Sequence, residues 1–285
     1  MTKPRIAICY DFDGTLSPGN MQEYDFMKRI GMDKADFWRA SGEIMQKHNA
    51  DSVISYMRLM IEKAAQKGVS FTRQGFRDYG RSIALYKGVS TWFKRINAYG
   101  ASKGVKVEHY IISSGIREMI LGNPIAKHFK HIYASSFMYD EKGNAVWPAV
   151  ALNYTTKTQY LFRINKGCFN INDPEINAFV PDDARYIPLS QMVYIGDGST
   201  DVPCMVLTKR QKGHSIAVYN PQSEKSQQAA VQLAKDNRVD FISLADYSKG
   251  SKMEKIMKAI IDKIVSDIHL ENMKKENLTL KEQKE

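Results

Sequence analysis

Residues 5–15 read RIAICYDFDGT, and this stretch decides the fold. Its first six residues, Arg5–Tyr10, form a short, mostly apolar run rich in β-branched side chains, bounded by Pro4 and by the polar DFDGT. That is the pattern of a buried strand ending in a functional turn. The same grammar recurs at 107–112 (VEHYII), which runs into SSG, and at 191–195 (QMVYI), which runs into GDGSTD. Helical periods lie between them: 89–99, with Val89, Trp92, Phe93 and Ile96 on one face, and 116–121 after the serine pair. Strands alternating with helices predict an α/β fold, a doubly wound parallel sheet whose ligands sit outside the carboxyl ends of its strands.

Two stretches interrupt this rhythm. Residues 18–86 have helical periodicity and no convincing strand, so they read as a helical insertion directly after the first strand and its turn, hung over the site. Residues 132–154 contain two extended runs joined through Asp140-Glu141-Lys142-Gly143-Asn144, the pattern of a hairpin. Residues 165–190, with little periodicity, read as a loop-rich excursion. After the last motif, HSIAVY and RVDFIS read as short strands. An amphipathic helix follows from Gly250, with Met253, Ile256, Met257, Ile260, Ile261 and Ile264 on one face. The expected organisation is a core of 1–17 and 87–266, an inserted cap of 18–86, and a charged tail of 267–285 that either extends the last helix or frays.

The chain has 285 residues, 43% of them hydrophobic and 25% charged, which excludes wholesale disorder and leaves room for a substantial core. No apolar run is long enough for a membrane span, and the N-terminus lacks a signal-peptide pattern. Three widely spaced cysteines, Cys9, Cys168 and Cys204, fit reduced thiols and a cytoplasmic location. The net charge of +10 is spread out. Residues 87–170 hold 12 basic and 4 acidic residues, whereas 171–266 balance at 12 each. Without a dense basic tract, a nucleic-acid partner is not expected, and the surplus suits attraction of small anions.

Asp11 and Asp13 stand two residues apart at one strand end, and Asp197 and Asp201 flank a glycine-rich turn at another. Adjacent strand ends would gather up to four carboxylates, a self-repelling cluster that a divalent cation relieves, and an all-oxygen donor set suits Mg²⁺. DFDGT, a strand ending in Ser113, then Lys157, then GDGSTD together resemble the haloacid dehalogenase superfamily of aspartate-nucleophile phosphohydrolases, over residues 5 to about 248. The insertion, the re-entry at ALYKGV and the hairpin before the lysine look most like its phosphoserine-phosphatase-like branch with a helical cap.

The resemblance implies a Rossmann-like core and a set of roles. Asp11 would be the nucleophile and Asp13 the acid and base. The Asp11 and Asp197 carboxylates with the Asp13 carbonyl would hold Mg²⁺, and Asp201 would support the lysine or a metal-bound water. Ser113 and the backbone N–H groups of Ser114 and Gly115 would bind phosphate, as would Lys157, with Lys142 and Lys166 as competing lysines. Ser113 also reads as an ordinary helix cap, and Arg117 as a surface arginine. An acid at Asp13 fits an alkoxide leaving group, hence a phosphomonoester of a small metabolite. Tyr24, Arg29, Arg39, Arg58, Arg73 and Arg77 are the insertion's candidates for holding substrate. The other readings are phosphotransfer to a second hydroxyl, and a silent member of the fold binding nucleic acid or a protein partner.

Overall fold

The computed structural model describes residues 3–69 and 71–282, the last five of these for their backbone alone. Seven strands form one sheet in the order β4-β3-β2-β1-β5-β6-β7. They are β1 (Arg5–Tyr10), β2 (Lys106–Ile116), β3 (Phe129–Tyr139), β4 (Ala145–Val150), β5 (Met192–Gly196), β6 (His214–Tyr219) and β7 (Phe241–Leu244). All neighbours pair in parallel except β4, which returns antiparallel to β3 as the expected hairpin.

The helices follow as α1 (Asp25–Ile30), α2 (Lys34–His48), α3 (Ser52–Lys67) and α4 (Arg73–Gly80) in the insertion. Then come α5 (Val89–Ser102), α6 (Arg117–Gly122), α7 (Thr158–Lys166), α8 (Val202–Arg210), α9 (Glu224–Lys235) and α10 (Lys252–Glu282).

The central strands are apolar throughout because both faces are covered. Ile6, Ile8 and Tyr10 of β1 point into one cluster with Val193 and Ile195 of β5, Trp92, Phe93 and Ile96 of α5, and Met253, Met257 and Ile261 of α10. Ala7 and Cys9 point the other way, with Tyr194, and meet Leu161 and Ile164 of α7, Cys204 and Met205 of α8, and Ala230 of α9. The period-two alternation of each strand thus sorts the helices onto two faces, and each large buried side chain contributes about 1.5–3 kcal/mol.

The insertion shares the first cluster through Phe26, Phe37, Met57, Phe71 and Phe76. It is also stitched to the hairpin, which the sequence reading had kept apart. Ala145 N–H donates to Phe71 O at 2.8 Å, Arg73 N–H donates to Gly143 O at 3.3 Å, and the Phe76 and Phe137 rings stack at 5.3 Å. Helix α4 meets α6 backbone to backbone: a Cβ at Gly80 would lie 1.9 Å from Met119 O, and one at Gly122 1.9 Å from Arg77 O.

The excursion at 165–190 is held in place by side chains. Arg163 donates to the carbonyls of Asn170 and Ile171, and Lys166 to those of Ile176 and Ala178. The tail extends α10 through Glu282, with residues 269–277 exposed; residues 283–285 lie outside the described residues. Among the described residues no helix is long and apolar enough to cross a membrane.

Candidate active site

From β1 the chain steps to β2 and β3 on one side, whereas β5 lies on its other side and leads to β6 and β7. The carboxyl ends of β1 and β5 therefore flank a topological switch point, where a crevice opens. Asp11 continues the line of β1, its N–H donating to Ile195 O at 2.9 Å. The next turn closes on Phe12, whose carbonyl accepts from Leu16 N at 2.8 Å and Ser17 N at 3.1 Å. Gly14 sits at φ +74°, and a Cβ there would stand 2.1 Å from Asp197 Oδ2. No other residue type meets both demands, the left-handed backbone and the approach of the second carboxylate. Asp13 is aimed by the chain leaving for the insertion, its Oδ1 accepting from Met21 N at 3.0 Å.

Lys157 ends a 3₁₀ turn just before α7 and is fully buried. Its Nζ donates to Asp201 Oδ1 at 2.7 Å and to Asp11 Oδ1 at 3.2 Å, with Thr200 Oγ1 at 3.4 Å. Asp201 accepts from four donors in all: Lys157 and the Tyr194 hydroxyl (2.8 Å) at Oδ1, and the N–H groups of Asp197 and Gly198 (both 3.3 Å) at Oδ2. The competing lysines are elsewhere: Lys142 is in the hairpin turn, and Lys166 holds the excursion. Arg117 is exposed, beside His131 and Phe169 in a separate cleft.

Strand β2 runs three residues past Ser113, with an irregular register against β3 between Ser113 and Ile116. Helix α6 starts at Arg117 without a side-chain cap, so Ser113 is not a helix cap. Its Oγ accepts from Gly115 N–H at 3.2 Å, which engages one of the two backbone donors expected to face an anion. Ser114 O accepts from the Tyr56 and Ser135 hydroxyls at 2.6 and 3.0 Å, whereas Ser114 Oγ is buried with no partner among the described residues.

Electrostatically the site is strained. Desolvation, then the Asp11 charge, pushes Asp13 well above the usual carboxylate range. Desolvation, then Asp11 and Asp201, does the same to Asp197. Asp11 is pushed up to about 6 by burial, with Lys157 opposing and Asp201 reinforcing. Burial would lower the Lys157 ammonium, but Asp11 and then Asp201 outweigh it and raise its pKa. Both members of the Lys157–Asp11 pair rise because one lysine is divided between two carboxylates and lies nearer Asp201.

Carboxylate oxygens of Asp11, Asp197 and Asp201 come within 4.8 Å of one another, and this donor set fits a hard divalent cation. The set contains both carboxylates of the sequence reading, Asp11 and Asp197, and adds the Asp201 side chain; the Asp13 share in that reading was its backbone carbonyl. Asp201 is already saturated with hydrogen-bond donors, so Asp11 and Asp197 keep the lone pairs a cation needs.

Over these groups lies a cleft of about 360 Å³, walled by Gln22, Trp38, Ser41, Met45, Val53 and Tyr56 on the insertion side and by Asn153 before the lysine turn. Asn153 Nδ2 reaches across to Asp51 Oδ2 at 3.1 Å and Ser52 Oγ at 2.9 Å, tying the start of α3 to that turn. None of the insertion residues expected to hold substrate lines the cleft. Arg39 pairs with Asp36 and Glu43, Arg29 lies over the Tyr79 ring, Arg73 over the Tyr139 ring, and the Tyr24 hydroxyl donates to Pro18 O. Gln22, Trp38, Tyr56, Asn153, Thr200 and Tyr194 carried no separable signal. Thr200 lies inside GDGSTD and Tyr194 in the strand before it, and the others look like core aromatics or amides outside the motifs.

The profile of the haloacid dehalogenase-like hydrolases matches residues 8–206. The chain belongs to this family. An uncharacterized protein of Borreliella burgdorferi is 30% identical over 279 residues, covering 87% of this chain and 93% of that one. Among solved structures, a phospho-aspartyl intermediate analogue of phosphoserine phosphatase superposes with a TM-score of 0.54 at 15% identity, covering 90% of this chain and all of that one. A probable phosphoserine phosphatase from Vibrio cholerae gives 0.56 at 11% identity, covering 93% and 67%. At those identities the likeness establishes the fold alone, a Rossmann-like core shared with the phosphoserine phosphatase structures.

Proposed function

We propose that the protein is a Mg²⁺-dependent phosphomonoester hydrolase that works through an aspartyl-phosphate on a small phosphorylated metabolite, with residues 18–86 as a cap. The observation that carries this reading is the meeting of Asp11, Asp13 and Asp197 with buried Lys157 at the β1/β5 switch point. Mg²⁺ held by the Asp11 and Asp197 carboxylates and the Asp13 carbonyl would offset phosphoryl charge. Lys157, the Ser113 hydroxyl and the Ser114 N–H would bind and orient the phosphate oxygens. An Asp11 oxygen attacks phosphorus, the bond to the ester oxygen breaks, and Asp13 delivers its proton to the leaving alkoxide. Asp13 then takes a proton from water, whose oxygen displaces the Asp11 carboxylate from phosphorus and frees inorganic phosphate. Asp201 positions Lys157 and the turn carrying Asp197.

Phosphate release from an aryl phosphate should require Mg²⁺, and Asp11→Asn should lower kcat by on the order of 10⁴-fold. Metal-independent release, or an active Asp11→Asn protein, would sink the reading. A cytoplasmic location accords with three buried, free cysteines.

A further inference from the structure

Building on the hydrolase reading, we propose that the leaving group is an uncharged, hydroxyl-bearing alcohol, so that the substrates are sugar or polyol phosphates. Beyond the aspartates at its phosphate end, the cleft is lined by no lysine, arginine, histidine or further acid among the described residues. The insertion's acids beside the cleft are committed elsewhere, Glu23 to Asn20, Trp38 and Lys34, and Asp51 to the first N–H groups of α3 and to Asn153. A phosphoserine leaving group would bring a carboxylate and an ammonium into this space. Neither meets a counter-charge there, and an unpaired charge in a walled cleft is expensive. The same argument disfavours leaving groups carrying a second phosphate.

What the walls do offer is hydrogen-bond acceptors without donors. Gln22 Oε1 and Asn153 Oδ1 are both buried, both belong to residues lining the cleft, and neither has a partner among the described residues. Buried polar atoms are almost always satisfied, so two orphan acceptors beside one ligand space point to donors supplied by the ligand. Neutral hydroxyl groups are such donors. The remaining surface, from Trp38, Met45, Val53 and Tyr56, is apolar and aromatic and suits the C–H face of a sugar or polyol. Neighbouring hydrogen bonds fix the Asn153 amide, which is anchored through Nδ2 to Asp51 and Ser52 and so turns its Oδ1 away from them.

The test is a comparison of kcat/KM with Mg²⁺ for an aryl phosphate, ribose 5-phosphate, glucose 6-phosphate, glycerol 3-phosphate, phosphoserine and phosphoglycolate. The neutral hydroxylated esters should exceed phosphoserine and phosphoglycolate by at least about tenfold, because a site built to bond hydroxyls discriminates strongly. Turnover of the aryl ester with phosphoserine or phosphoglycolate equal or better would overturn the substrate class and leave the hydrolase intact. Turnover of no ester would overturn both. As a second readout, Gln22→Glu places an acid in the wall. The ratio of kcat/KM for phosphoethanolamine to that for the best sugar phosphate should rise at least about tenfold, and an unchanged ratio in a folded variant would remove Gln22 from the contact.

Discussion

The two ends of the sheet treat buried charge in opposite ways. At the carboxyl ends, Asp11, Asp13, Asp197 and Asp201 crowd around Lys157, and burial with mutual repulsion raises the first three pKa values. Near the start of β2, one buried carboxylate, Glu108, is surrounded by Lys106 (2.9 Å), Lys130 (3.5 Å) and Arg5 (3.7 Å) and accepts from the Tyr110 and Tyr186 hydroxyls at 2.7 and 3.0 Å. Burial works against its charge there, but the Lys106 ammonium, the two hydroxyls and Lys130 outweigh it and hold it below the usual range. The lower end satisfies itself and pins the excursion through Tyr186. The upper end is left incomplete, as a site is that awaits a cation and an anion.

Removing the central cation should do most damage. Lys157→Met leaves Asp11 and Asp201 buried without their partner, a cost of about 3–5 kcal/mol that should appear as a lower urea midpoint, partly restored by Mg²⁺. An unmoved midpoint would mean that the lysine does not hold the upper end together. At the lower end, Glu108→Ala strands several donors and should cost about 2–3 kcal/mol with kcat on an aryl phosphate unchanged. A matching loss of kcat would erase the division between the ends.

The smallest effect is in pH. The raised Asp11 pKa means the metal-free fold binds more protons than the unfolded chain between about pH 4 and 6, so this group's contribution to stability is present at acid pH and lost as pH rises through about 6. His109 acts in the opposite sense. Trp92 Nε1 donates to the Tyr10 hydroxyl at 2.9 Å, so that hydroxyl donates to His109 Nδ1 at 3.0 Å, and Nε2–H donates to Asn97 Oδ1 at 2.9 Å. The ring is held neutral, and burial, then His128, pushes its pKa down to about 3. Its contribution is present above the ordinary histidine range and lost as pH falls from there towards 3, by at most about 1.4 kcal/mol per pH unit. In chelator the raised carboxylates, Asp11 together with Asp13 and Asp197, should outweigh His109 and make the fold more stable as pH falls from about 6 to about 4. Mg²⁺ should abolish the carboxylate slope and expose acid destabilisation, which His109→Asn should flatten. Parallel profiles with and without Mg²⁺ would contradict a cation at the upper end.

Each strand that mattered for the site was legible because an apolar run ends abruptly in a polar motif, as Arg5–Tyr10 ends in DFDGT. Lys157 was legible through the order of motifs that the family resemblance supplied, and the hairpin through its turn residues. The insertion's arginines misled, since length and charge mark a side chain as able to reach substrate but not as doing so. Arg39 instead satisfies Asp36 and Glu43 on its own helix, and Arg29 and Arg73 lie on tyrosine rings. The excursion at 165–190 was opaque because its order comes from Arg163, Lys166 and Glu108, none of which has a local pattern.

By itself, the sequence determined the strand ends, the alternation that makes the sheet doubly wound, and the aspartates that the turns carry, because these follow from periodicity and local backbone demands. The tertiary structure alone decided that one lysine is shared by two carboxylates, that Gly14 admits Asp197, and that the cleft's far wall is neutral with two unpaired acceptors. Those features join residues distant in the chain, the first two through the pairing of β1 with β5 and the third through the packing of the insertion against the lysine turn.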